Sequence, residues 1–283
     1  MKALISVSAT LAGLALLAWG AVAFPPSHRF LVDWGCYRAA NKILHSNETS
    51  WARANVVPFK KIFAPPDADE TVVDLGFAKF EVGSEYAPPV AFTGGQHGIW
   101  VMVKLGDFSI LFLNPAPPEP MDEGTKKNVE ASKRTLPKMA AFIQEMHSDE
   151  VAWQIEVEQV RPATFAQISA MNKDEYRLYC AMAQQKVLQF GTEKVFWFEN
   201  AETKGIARFN LRDAAVHMLL SSSDGGKVVD CVVFAPKGRP DGAEPLVDQI
   251  AATFVFTIEN IADREEIRRR ILAAGIKPRH SGP

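Results

Sequence analysis

The sequence predicts an α+β protein, a mainly antiparallel sheet flanked by helices, behind an N-terminal apolar helix for export or anchoring. Three observations carry that expectation. Residues 3–24 are almost wholly apolar and uncharged and follow directly on Met1 and Lys2. Short β-rich runs cluster at hairpin spacing, near residues 99–114 and again over residues 195–234. Between and after them lie stretches with helical period and recognisable caps.

The apolar segment has two readings. Lys2 is the only charge before it, and Ala21-Val22-Ala23 supplies a small-x-small pattern, so a secretory signal would be cleaved before Phe24. The same run, at about 1.5 Å per residue, is long enough for a hydrocarbon core of about 30 Å, which fits a retained anchor. Either way the expected outcome is a body outside the cytoplasm, in the bacterial periplasm or on the periplasmic side of the inner membrane. The expected organisation is a signal or anchor at 1–24, a membrane-proximal helix and linker at 25–70, and a globular α+β domain at 71–283.

Pro25-Pro26 ends the apolar run, and residues 28–45 read as a short helix. Asn47-Glu48-Thr49 matches a glycosylation triplet, meaningful only in a eukaryote. The stretch 65–70, with Pro65-Pro66 and Asp67, Asp69 and Glu70, reads as a solvated connector. Residues 72–82 read as strand and 85–98 as loop. Residues 99–104 and 108–114 form a hairpin across Leu105-Gly106-Asp107. Leu136, Met139, Ile143 and Met146 place one apolar face on a helix over about 126–146, kinked or restarted at Pro137. Val151, Trp153, Ile155 and Val157 alternate with Ala152, Gln154 and Glu156, which predicts a half-buried strand.

Residues 164–170 suggest a short helix. Asn172 followed by Glu175 is a capping pattern that opens a helix over about 173–189. Candidate strands follow at 195–198, 206–211, 216–221 and 228–234, the last two joined by a tight turn at Ser223-Asp224-Gly225-Gly226. Leu246, Val247, Ile250 and Phe254 mark the inner face of a further helix, with a return strand at 254–258. A last helix over 263–273 has acids at its start, Arg268-Arg269-Arg270 near its end and Gly275 beyond, as the helix dipole favours. The runs beginning at Gly98-Ile99-Trp100 and Gly205-Ile206-Ala207 each pass through a hairpin to a helix, a faint internal echo of two halves sharing one sheet.

The strand, hairpin, helix, strand order over 205–258 resembles the end of PsbP-like domains. Residues 159–205, with Pro162, Lys186 and Lys204-Gly205-Ile206, look like a segment of uncharacterised exported bacterial proteins. The resemblance covers about half the chain, rests on no catalytic motif, and implies fold and compartment only.

Composition narrows the chemistry. Of 283 residues 47% are hydrophobic and 23% charged, an ordinary globular balance. Lys and Arg number 31 against 33 Asp and Glu, which gives no electrostatic support for nucleic-acid binding. Cys36, Cys180 and Cys231 are far apart and form no CxxC; Cys180 and Cys231 are expected as small apolar residues of a helix and a strand. The sequence lacks GxSxG, SxxK, HExxH, P-loop and GxGxxG patterns. No catalytic, cofactor-binding or metal-ligating residue is assigned, and no cofactor is implied.

The most site-like stretch is Gly94-Gly95-Gln96-His97, where glycines permit close approach to a ligand and His97 offers an imidazole; a flexible loop entering a strand is the favoured reading. His217 is expected as a hydrogen-bonded sheet residue. The leading functional expectation is a non-catalytic envelope protein binding another protein or envelope component, attached to the membrane through residues 3–24 if these are retained. An exported hydrolase using His97, and a small-ligand carrier, are the alternatives.

Overall fold

A computed structural model describes residues 56–278, apart from 64–69, 87, 95–97, 162, 164–166, 168–169, 190 and 237–239. The apolar segment 3–24, the expected helix at 28–45, Cys36, the Asn47 triplet, Asp67 and Asp69 lie outside the described residues, as does most of the expected helix at 164–170. Among the described residues no helix is long and apolar enough to cross a membrane.

The fold is α+β. Its frame is a nine-stranded mixed sheet, mostly antiparallel. In chain order the strands are β1 (Phe59–Lys60), β2 (Glu70–Asp74), β3 (Ala78–Gly83), β4 (Val90–Gly94), β5 (Trp100–Leu105), β6 (Phe108–Ala116), β7 (Thr192–Glu199), β8 (Thr203–Asn210), β9 (Ala215–Ser222), β10 (Val228–Phe234), β11 (Val255–Phe256) and β12 (Lys277–Pro278). The large sheet runs β1-β7-β8-β9-β10-β6-β5-β4-β12, and β11-β3-β2 form a small second sheet. The two expected groups of hairpins are thus two meanders of one sheet, joined where β10 lies antiparallel to β6. Among the described residues, only the two-residue edge strands pair in parallel, β1 with β7 and β12 with β4.

Six helices complete the described chain: α1 (Glu123–Ser132), α2 (Pro137–Met146), α3 (Glu150–Gln159), α4 (Lys173–Leu188), α5 (Glu244–Thr253) and α6 (Arg264–Ala273). Four of these starts follow side-chain capping, while α2 and α5 open with proline in the first turn. Asp122 accepts from Thr125 N, Asp149 from Ala152 N at 3.0 Å, and Asn172 with Glu175 forms the full capping box. Asp263 caps α6, whose arginines pair with Glu265 and Glu266 one turn back, as a solvated helix end would.

Three expectations are corrected. Residues 151–157 are not a strand but the middle of α3. In a helix a two-residue alternation sorts into two i,i+4 pairs on opposed faces. Val151 and Ile155 meet the sheet, while Trp153 and Val157 meet α2 and α4, so an apolar residue at every second position suits a helix buried on both sides. The stretch 72–82 is a hairpin, β2 and β3, turned at Gly76 with φ +84°, where an added Cβ would lie 2.5 Å from the Arg270 backbone. The expected loop at 85–98 contains β4. Over 126–146, of the two readings of Pro137 as a kink or a restart, the restart holds: Pro137 opens α2.

The two faces of the large sheet are covered differently. On one, Val101, Val103, Ile110, Phe112, Met218 and Cys231 pack under α5, α6 and the small sheet, all nearly inaccessible to water. Phe112 lies between Phe254, stacked at 6.0 Å, and Phe80 at 5.7 Å. On the other, α3 crosses β8 and β9, with α2 and α4 packed outside it. Cys231 is buried in β10 as expected, its thiol pushed up by that burial; Cys180 is only half-buried in α4.

Candidate functional site

Of the expected candidate loop, Gly94 is the last residue of β4, and Gly95, Gln96 and His97 lie outside the described residues. Gly94 has a packing reason to be glycine. It faces Trp100 across the β4–β5 pair, and an added Cβ would meet the indole at 2.4 Å. The cavity next to it holds about 180 Å³ and is walled by Ile99, Ile271 and Leu272, with Thr93 and Arg268 as its polar side chains among the described residues.

The chemistry that the fold does bring together lies under α3. Arg208 of β8 donates from Nε to Glu158 Oε1 at 2.8 Å and from Nη2 to Gln154 Oε1 at 2.5 Å. Glu158 is wholly buried and Arg208 nearly so, which makes this an ion pair taken out of water and pinning helix to sheet. Gln154 and Glu158 are four apart and share one face of α3. Lys186 of α4 is also buried; its ammonium donates to the carbonyls of Glu158 (2.7 Å), Val160 (2.8 Å) and Val56 (3.0 Å). Two of these acceptors lie at the C-terminal end of α3, where a cation meets both the orphan carbonyls and the helix dipole.

Beside this seam opens a cleft of about 530 Å³. Arg208, Asn210, Arg212, Asp213, His217 and Gln189 line it. Arg208 and His217 are direct partners across β8 and β9. Asn210 shapes the turn between those strands. Its Oδ1 accepts from Arg212 N at 2.9 Å, and its Nδ2 donates to Asp213 Oδ2 at 3.1 Å. Asp213 Oδ2 lies 3.4 Å from His217 Nε2. The expectation for His217 holds in its strand position but not in its bonding: Nε2 is shielded from solvent and makes no hydrogen bond to a described residue.

A second charge cluster ties the start of the described chain to α5. Lys61 donates to Asp248 at 2.7 and 2.6 Å and to Glu244 at 3.0 Å, and Lys194 pairs with Glu244 at 2.6 Å. Burial pulls the Lys61 ammonium down, yet the bonds to both carboxylates outweigh it and hold it above its usual range. Glu244 is held low, first by Lys194, whereas burial pushes Asp248 up despite Lys61. Phe59 and Phe63 pack on Phe196 nearby, so this cluster reads as a structural clamp.

The remaining feature is a surface. On the face that carries α3, strands β4, β5, β6 and β10 present Phe92, Met102, Leu111 and Val232 in one cross-strand row, with Trp100 and Leu113 alongside. All six are half-buried, and Val90 and Phe234 at the margin are 48% and 39% exposed. Glu150, at the start of α3, borders this area; burial pushes its carboxyl up, and the Asp230 and Glu119 carboxylates add to the shift.

Neither the cleft nor the surface was singled out from sequence. Gln154 and Glu158 carried a signal, four residues apart, which only a helical reading of that stretch exposes. Among the described residues no group of His, Cys, Asp or Glu is placed to hold a metal ion. A scan of family models, a search of curated proteins and a search of solved structures give no match to this chain. What the fold and site define is therefore a class: an α+β protein with one sealed sheet face and one partly open, apolar one.

Proposed function

We propose that this chain is a non-catalytic envelope protein that works by binding another protein. Residues 3–24 take the body across the bacterial inner membrane and deliver it to the periplasm or hold it at the periplasmic side. Accessory-subunit and immunity roles belong to this class. The observation that carries the reading is the apolar half-face on β4, β5, β6 and β10, eight apolar side chains reached by water. Four strands at about 4.8 Å spacing make a broad pleated surface, not a pocket. A small molecule laid on it would leave much of both surfaces wet, whereas a protein surface covers it and gains the hydrophobic term.

The test uses the full-length chain in bacterial cells with a photo-crosslinking residue at Met102. The expected result is a crosslink to one envelope protein. Its co-purification with the chain is lost on Met102→Glu, while the thermal midpoint stays within about 2 °C, as expected for a surface change. If Met102→Glu leaves that association intact, the face is not the binding surface. A reporter fused after Pro283 tests delivery; activity confined to the cytosol would remove the envelope from the reading.

A further inference from the structure

We propose that the partner docks on the apolar face through an amphipathic helix with a lysine or arginine at one border of its apolar stripe, set to meet Asp230 and Glu150. The inference rests on the protein-binding reading and adds the chemistry of the partner. The face is three rows deep. Phe92, Met102, Leu111 and Val232 form the middle row. On one side Trp100 and Leu113 lead to Asp230, which stands opposite Leu113. On the other lie Val90, Lys104, Ser109 and Phe234. The apolar area thus ends in a carboxylate at one corner and an ammonium at the opposite one.

The covered half of the same sheet face indicates the shape of the occupant. There Val151 and Ile155 of α3 lie on Val195, Ile206, Leu219 and Val228, a helix laid on strands. The four open strands, at about 4.8 Å spacing, leave room for another helix about 10 Å across beside it. The charges indicate what that helix carries. Asp230 is exposed, and Glu150 borders the face from the first turn of α3. The Glu119 and Asp230 carboxylates both act on Glu150, and like charges crowded beside an apolar surface raise the cost of leaving it uncovered. Arg208 acts on both Glu150 and Asp230, but it directs Nε to Glu158 and Nη2 to Gln154, so one guanidinium answers three carboxylates. His217 adds to the answer at Asp230 only when protonated. The balance at this corner is negative, and a cation brought by the partner relieves it while fixing the register of an otherwise non-directional apolar contact.

The experiment uses the full-length chain in bacterial cells with the photo-crosslinking residue at Met102 as probe, and maps the crosslinked segment by mass spectrometry. The expected segment has apolar residues at three- and four-residue spacing and a lysine or arginine beside them. Asp230→Lys should lower co-purification about tenfold, as a like-charge contact at an interface does, and Asp230→Asn should lower it less. Replacing the segment's basic residue by glutamate should weaken binding to the parent chain and restore binding to Asp230→Lys. Glu265→Lys, on exposed α6 behind the sheet, should change nothing. If Met102→Glu abolishes association while Asp230→Lys and Glu150→Lys leave it intact, the basic helix is wrong and the protein-binding reading stands. If none of these substitutions matters, both fall. A segment without a basic residue, a crosslink to residues 28–45 of the same chain or to a second copy, or no crosslink at all also overturns the inference. The substitution made in the partner decides the matter even where Asp230→Lys fails to fold.

Discussion

The two faces of the nine-stranded sheet are built on different principles. The face under α5, α6 and the small sheet is closed mainly by apolar packing, with Phe112 set between Phe254 and Phe80. The face under α3 joins a smaller apolar cluster, Val151 and Ile155 against Val195, Ile206, Leu219 and Val228, to buried polar anchors, the Arg208–Glu158 pair and the Lys186 ammonium among them, and stays partly open over β4, β5 and β6. Apolar packing is non-directional and tolerates any partner of the right shape; buried charges demand one geometry. The first face therefore supplies most of the stability. The second places one helix in one position and leaves a cleft and an apolar surface beside it.

The sharpest way to break this contrast is Phe112→Ala. It should cost about 4 kcal/mol in urea unfolding, because a fully buried ring leaves a cavity between Phe80 and Phe254. A loss below about 1 kcal/mol would mean that this face does not dominate. Next, Glu158→Gln should cost about 3 kcal/mol by stranding the Arg208 charge, and pairing Glu158→Met with Arg208→Met should restore much of it. If the double variant is no better than the single one, the pair does more than position α3. Lys61→Met is expected to cost about 1 kcal/mol or less, since its partners are partly exposed, and the difference should shrink in high salt.

The smallest effect concerns pH. Burial raises the Glu150 carboxyl in the folded state, so the folded chain holds a proton there that the unfolded chain has released. Stability from this group is full below the ordinary glutamate value and declines as pH rises through the raised one. Glu150→Gln should therefore stabilise slightly at neutral pH and make no difference well below pH 4.5. Thermal midpoints of both chains across pH measure it; a gain that persists undiminished in acid would assign the effect to packing instead.

How much of this was legible in advance depended on how local the cause was. The capping box at Asn172 and Glu175, the turn at Asp224-Gly225 and the strands β9 and β10 that it joins are decided within a few residues, and each was readable. Residues 151–157 were misread because a helix buried on both sides and a half-buried strand share the same apolar alternation; only the position of α3 between sheet and helices separates them. Gly94 looked like ligand-loop chemistry, and the Trp100 ring against it supplies a packing cause that sequence could not show.

By itself, then, the sequence determined the α+β class, the β5–β6 and β9–β10 hairpins and most helix ends, since hydrogen-bond geometry and side-chain period act over short range. The tertiary structure alone decided that Arg208 meets Glu158 from 50 residues away, that Lys186 closes the end of α3, and that His217 stands beside Arg208 in a cleft. Those outcomes depend on which faces pack against which. A charge has no partner until the apolar surfaces around it have chosen their own.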